Sequence, residues 1–166
     1  MDFRIEHSLT SAPEHVAEVL LDRDYQEHLG DHLGAVSHRK VLGQKELSEG
    51  RVERRIRCVL ELHLGGAAER FLGGADPAYV ETAIWHPDDL RWDWTIEPEV
   101  AKELLDARGS IHILPNGSGT IRAVDGTVRV KFPLYGGKVE GWIVEGLEDA
   151  YREEAGRLQA WLDAGH

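Results

Sequence analysis

VRVKFPLYGGKVEGWI, residues 128–143, carries an alternating strand through a proline and a Gly-Gly pair directly into a long helix. Beyond it Val139, Trp142, Ile143, Leu147, Tyr151, Leu158, Trp161 and Leu162 recur at three- and four-residue steps. That spacing draws one apolar stripe along a helix. Glu140, Glu145, Glu148, Asp149, Glu153 and Glu154 take the remaining faces. A helix leaving its strand without a linker must reverse and lie across the sheet. Gly136 and Gly137 are expected to allow positive φ and close backbone approach at that reversal.

Working outward, residues 2–10 alternate, with Phe3, Ile5, His7 and Leu9 on one face. SAPEHVAEVLLD (11–22) opens a short helix, with Ser11 and Glu14 in capping-box spacing and Pro13 in the first turn. DRDYQEHLGDHLG (22–34) reads as a second short helix, with Gly30 and Gly34 marking possible ends. VSHRKVLGQK (36–45) is a weakly patterned edge strand. Arg51–Leu62 alternates clearly, with Val52, Ile56, Cys58, Leu60 and Leu62 on one face. GGAAERFLGGADP (65–77) breaks the run as a short helical or irregular segment. AYVETAIWH (78–86), LRWDWTIE (90–97) and a hairpin around PNGSG (115–119) complete the strands. The order is one strand, two short helices, about six strands and one long helix. It predicts an α+β fold, an antiparallel sheet covered on its apolar face by the last helix, in a single domain over 1–166.

The bulk numbers set limits. At 166 residues a chain buries roughly 70% of its unfolded surface. A formal charge of −11 argues against nucleic acid and anionic membranes as partners. The lone Cys58 excludes an internal disulfide and reads as a small buried hydrophobe in a reducing compartment. No signal peptide is visible, and no apolar run approaches the roughly 20 residues of a membrane helix. A cytoplasmic location, with no membrane insertion, is expected. The charges of the 36–45 edge argue against strand pairing between subunits.

SAPEHVAEVLLD after the first strand, and FPLYGGKVEGWI (132–143) leading into a helix that ends LQAWL (158–162), resemble the START-like (SRPBCC, helix-grip) superfamily. The second motif is similar to an uncharacterised bacterial domain family within it. The resemblance covers nearly the whole chain. It implies a curved antiparallel sheet of about seven strands wrapped around the C-terminal helix, with the two short helices closing one end. Members mostly bind small hydrophobic molecules, lipids among them, between sheet and helix, and some catalyse reactions there.

Several residues suit such a site. Trp92 and Trp94 would project toward the helix, joined by Trp142, as core or as an aromatic ligand wall. Arg54 falls in register with Val52, Ile56 and Cys58, and Arg122 with Val124, Val128 and Val130; His7 shares a face with Phe3 and Ile5. A buried guanidinium requires an acidic partner or an anionic ligand. Arg54 or Arg122 would therefore hold a ligand carboxylate or enolate, with His7 or Tyr79 as a second polar contact. The alternative is that each arginine reaches solvent at a strand end and pairs with a surface acid such as Glu81. His28 and His32 stand four apart, but Gly30 between them favours a solvated turn over a metal site. No zinc-protease pattern, phosphate loop, dinucleotide fingerprint or nucleophile elbow is present. No cofactor, metal or catalytic residue is expected. Three functions follow: a carrier or sensor of a small hydrophobic ligand; a polyketide cyclase or aromatase-like enzyme; and a protein-interaction module whose interior is filled by Trp92, Trp94 and Trp142.

Overall fold

The computed structural model describes residues 1–30, 33–61 and 77–165. The predicted helical or irregular segment at 65–77 and Leu62 fall almost wholly outside that set. The described strands are β1 (Asp2–Leu9), β2 (Val36–Glu46), β3 (Val52–Leu60), β4 (Ala78–His86), β5 (Arg91–Pro98), β6 (Leu105–Asn116) and β7 (Gly119–Val130). They form one antiparallel sheet in the order β1-β7-β6-β5-β4-β3-β2. Helices α1 (Pro13–Leu21) and α2 (Arg23–Leu29) follow β1, and α3 (Gly136–Asp163) ends the chain. This is the helix-grip arrangement: a curved seven-stranded sheet, a long C-terminal helix, and two short helices after the first strand.

The apolar pattern explains which surfaces meet. Val144, Tyr151, Ala155, Leu158 and Leu162 of α3 are buried, at spacings that keep them on one stripe. That stripe lies on β7 and β1. Val16, Ala17, Val19 and Leu20 of α1 are buried, and α1 packs on β6 and β7. Leu9 pairs with Thr120 at the start of β7, so α1 leaves from one end of the sheet. The β5–β6 and β7–α3 connections gather at the opposite end, where Leu105 pairs with Val130.

Three local expectations are corrected. The capping box does not form: α1 has Ala12 at its N-cap with no side-chain cap, which puts Glu14 one position short of N3. The Ser11 carbonyl instead accepts a hydrogen bond from the Thr120 hydroxyl at 2.7 Å. Next, β2 pairs with β3 through register shifts at Val36/His38 and Val41/Gly43, which explains its blurred alternation. Lastly, the reversal before α3 places positive φ at Leu134 (φ 68), not at the glycines. Gly136 serves close approach alone: a Cβ there would lie 2.5 Å from the Val130 carbonyl oxygen.

Candidate ligand site

Strand register sets the inner face. One row across the sheet runs Phe3, Gly126, Gly109, Trp94, Ala83, Arg54, and the next includes Ile96, Glu81 and Ile56. Trp92 and Trp94 are 1% and 2% exposed. The Trp92 ring lies 5.4 Å from that of Trp85, and the Trp94 ring 6.2 Å from that of Phe3. Neither indole N–H has a hydrogen-bond partner. Both tryptophans thus belong to the core. Trp142 does not join them: it is half-buried, outside the buried cluster, with the Lys138 ammonium 5.1 Å from its ring centroid.

Neither candidate arginine reaches solvent. Arg122 is 2% exposed, and its Nη2 donates to Glu154 Oε2 at 2.8 Å. The pair comes from β7 and α3, so the acid is Glu154 of the covering helix and not Glu81. Burial works to lower the Arg122 pKa, but Glu154, with Tyr151 and Tyr25 adding to it, more than offsets that and the guanidinium is held above its ordinary value. Burial likewise works to raise the Glu154 carboxyl, and Arg122, with Arg39 and Arg54 adding to it, more than offsets that, holding it below the ordinary range. Two Arg122 donors, Nε and Nη1, have no hydrogen-bond partner.

Arg54 is different. It is 8% exposed, lies 4.4 Å over the Trp92 ring, and donates from Nη1 to the Leu20 carbonyl at 2.6 Å. Among the described residues it forms no ion pair, and its Nε is unpartnered. Burial pushes its pKa down to about 10, against an opposing pull from Glu81. Glu81 itself sits on the inner face opposite Ile56 and Ile96. Burial raises its carboxyl pKa, with Arg54 and Arg39 acting the other way. The expectation of Glu81 as a surface acid is therefore corrected.

His7 pairs in register with Arg122, and its Nδ1 is buried without a partner. Burial first, then Arg122, lowers its pKa, which keeps the ring neutral at pH 7. Tyr79 stands opposite Cys58, and burial raises the pKa of both, the thiol to about 11. Cys58 is thus a buried thiol whose ionised form is disfavoured. His28 lies with its ring 4.5 Å from that of Trp161, while His32 is outside the described residues.

Sequence reasoning missed several polar members. Arg39 pairs in register with Cys58 and donates from Nη1 to the Gln26 carbonyl at 2.6 Å. Gln26 is 1% exposed and donates to the Leu20 carbonyl at 2.9 Å. Tyr25, fully buried and edge-on to Trp161 at 5.6 Å, has no partner for its hydroxyl. Since an unsatisfied buried hydroxyl carries a desolvation penalty, Tyr25→Phe is expected to leave the melting temperature unchanged or raise it. A loss above about 1 kcal/mol in urea denaturation would show that the hydroxyl has a partner.

The interior therefore combines aromatic walls with a set of charged groups, Arg39, Arg54, Glu81, Arg122 and Glu154. Among the described residues, surface grooves lie elsewhere. One, about 460 Å³, runs along Asp2, Arg108, Ser110 and Thr127 on β1, β6 and β7. Another, about 380 Å³, lies among Leu21, Arg23, Gln44 and Val52. Among the described residues no helix is long and apolar enough to cross a membrane.

This geometry is that of the START-like fold. A structure of the Thermus thermophilus protein TTHA0849 matches with TM-score 0.68 at 20% identity, covering 96% of this chain and 98% of that one. A START superfamily protein from Mycobacterium smegmatis matches with TM-score 0.63 at 15% identity, covering 96% and 98%. A Thalictrum norcoclaurine synthase point mutant in complex with a transition-state analogue matches with TM-score 0.68 at 17% identity, covering 98% and 96%. At these identities the likeness shows the fold alone. A comparison with curated protein sequences finds no match. Residues 4–162 match the family described as "Protein of unknown function (DUF2505)", and the chain belongs to that family.

Proposed function

We propose that the protein binds a small hydrophobic molecule between the inner face of the sheet and α3, as a carrier or sensor, and that Arg54 reads an anionic or strongly polar group on it. The observation that carries this reading is the contrast between the two buried arginines. Arg122 is neutralised by Glu154 at 2.8 Å, whereas Arg54 lies on the Trp92 ring with Nε unpartnered and no ion pair among the described residues. A buried cation without an ion pair is costly, and an anionic ligand would repay that cost on binding. The indole face beneath it suits a flat apolar skeleton. Trp92, Trp94, Tyr79 and His7 are proposed as further contacts. Arg122 is proposed as a contact only through its free Nε and Nη1, and Trp142 only at the margin of the site.

A matched pair of probes tests this. Anilinonaphthalene sulfonate and phenylnaphthylamine share an apolar skeleton and differ in the anionic group. Arg54→Met is expected to weaken the sulfonate by about tenfold or more, the worth of a charge-assisted contact, and to leave the neutral probe nearly unchanged. An equal change in affinity for the two probes on going from native protein to variant would sink the assignment of Arg54. Failure of the native protein to bind either probe would count against the site itself.

One observation favours a second reading, an enzyme acting on such a ligand. Tyr79 and Glu81 share the inner face two residues apart, and burial raises the pKa of each. A carboxyl group poised nearer to neutrality suits proton transfer. Turnover lost in Glu81→Gln, with binding retained, would favour catalysis over carriage.

A further inference from the structure

The connection from β7 to α3 breaks two local rules at adjacent positions. Leu134 holds a left-handed φ of 68, a conformation that costs a leucine roughly 1–2 kcal/mol and a glycine nothing. Its side chain is nevertheless 98% exposed, so no packing offsets that cost. Tyr135 stands at the N-cap of α3, where a small polar residue would serve, and forms no side-chain cap. It is 60% exposed, and its ring lies 6.5 Å from that of Phe132, itself 39% exposed. Leu134 and Tyr135, held in the open against local preference, point to a contact made outside the chain.

The charges beside this tip differ from the acidic average. Lys131 and Lys138 flank it, both exposed, and the first turn of α3 carries no acidic residue. The nearby acids are largely occupied: Glu99 by Arg57, Glu97 by Lys102, and Glu140 by the amine of Met1. Glu103 alone among these neighbours has no ion pair in the described residues. Most acids of α3 lie further along the helix, several turns and more than a Debye length of about 8 Å away.

We propose that Phe132, Leu134 and Tyr135 form a docking tip that enters the interfacial region of a lipid bilayer, with Lys131 and Lys138 at the headgroups. The exposed area favours a bilayer over a protein. A stable protein contact needs about 800 Å² on each side, more than the partly exposed Phe132, Leu134 and Tyr135 supply by themselves. A two-fold contact between copies would bring Lys131 and Lys138 of each into like-charge proximity. A lipid interface accepts a projecting aliphatic residue, aromatic rings at headgroup level and flanking lysines. The tip lies at the end of the sheet opposite α1, so it would present that end of the sheet–helix layer to the membrane. This surface is independent of how Arg54 reads its ligand.

The test uses the full chain and vesicles of phosphatidylcholine with a minor share of phosphatidylglycerol, at millimolar lipid. Native protein is expected to co-sediment weakly, less so at high salt. Leu134→Gly is expected to lose about tenfold or more of that partitioning, the worth of one buried leucine. Because glycine relieves the left-handed strain, the same variant is expected to melt at the same or a higher temperature, so lost binding cannot be ascribed to unfolding. Leu134→Gly/Tyr135→Ser should bind least. Equal vesicle binding by native protein and Leu134→Gly overturns the proposal. So does concentration-dependent self-association, without vesicle binding, that Leu134→Gly abolishes. Probe binding as in the preceding section stays unchanged in Leu134→Gly, which separates failure of the tip from failure of the ligand site.

Discussion

Glu154→Ala is expected to lower folding stability by about 3–5 kcal/mol, or on the order of 10 °C in melting temperature for a chain of this size. The reason lies in what remains. Arg122 is 2% exposed, and Glu154 Oε2 is its ionic partner at 2.8 Å. Removing the carboxylate strands a guanidinium in the interior, with His7 beside it unable to serve as a counter-charge. Removing both charges is a different experiment. Arg122→Met/Glu154→Leu replaces the pair by apolar groups of similar length and is expected to be close to neutral, because desolvating a buried pair consumes much of its own attraction. Urea denaturation of the two variants measures both. A double variant as unstable as the single one would mean that the pair stabilises outright.

The same pair sets a pH dependence. The folded-state pKa of Glu154 is depressed below the ordinary 4.5, so its contribution is complete above that value and is lost as pH falls through the depressed one. The folded pKa of Glu81 is raised, so it contributes in the opposite sense: stability is lost as pH rises from 4.5 through its folded value. Glu154→Gln should therefore flatten the loss of stability in acid while leaving the Glu81 component in place.

The fold is legible in the sequence because its periodicities are long and mutually consistent. β5 alternates Trp92, Trp94 and Ile96 against polar residues, and each apolar member is buried. The polar interior is not legible, although its positions are. Glu154 stands three residues after Tyr151 and four before Leu158, inside the buried stripe of α3. Glu81 stands between Tyr79 and Ala83 on the inner alternation of β4. Residue type assigns both outward, because a carboxylate is rarely buried unpaired, and the partner lies far away in sequence, 32 residues for Arg122 and Glu154. Arg39 is hidden for another reason. The register shift at Val41/Gly43 turns the alternation of β2 over, so that Arg39 comes opposite Cys58. Spacing reports which face a residue occupies only while the ladder is regular.

Gly109→Ala is expected to destabilise the protein by about 3 kcal/mol or more, at the upper end of what overpacking a core costs. Gly109 and Gly126 face one another across β6 and β7, with Trp94 paired to Gly109 on the other side. The aromatic rings of Trp94 and Phe3 fill the space their missing side chains leave. A Cβ at Gly109 would lie 2.0 Å from the Asp125 carbonyl oxygen, 2.7 Å from the Gly126 Cα and 2.6 Å from Trp94 Cζ2. Two of those three atoms are backbone of the neighbouring strand, so relief requires parting β6 from β7. For Gly126→Ala the nearest atoms are all of side chains, Phe3 Cζ at 2.5 Å and Trp94 Cζ2 at 2.7 Å, and the substitution should cost less because rings can tilt where a paired strand cannot. Phe3→Leu should then recover part of the loss at Gly126 and little of that at Gly109. Gly137→Ala supplies the opposite limit: nothing lies within 4 Å of its Cβ position, and in the first turn of α3 the substitution should gain up to about 1 kcal/mol. Melting temperatures in the order Gly137→Ala, Gly126→Ala, Gly109→Ala follow from close approach at the sheet. If Gly109→Ala melted with the native protein, Trp94 could not be lying against the sheet backbone. The inner face beside Arg54 would then be shaped differently from the one that supports ligand binding.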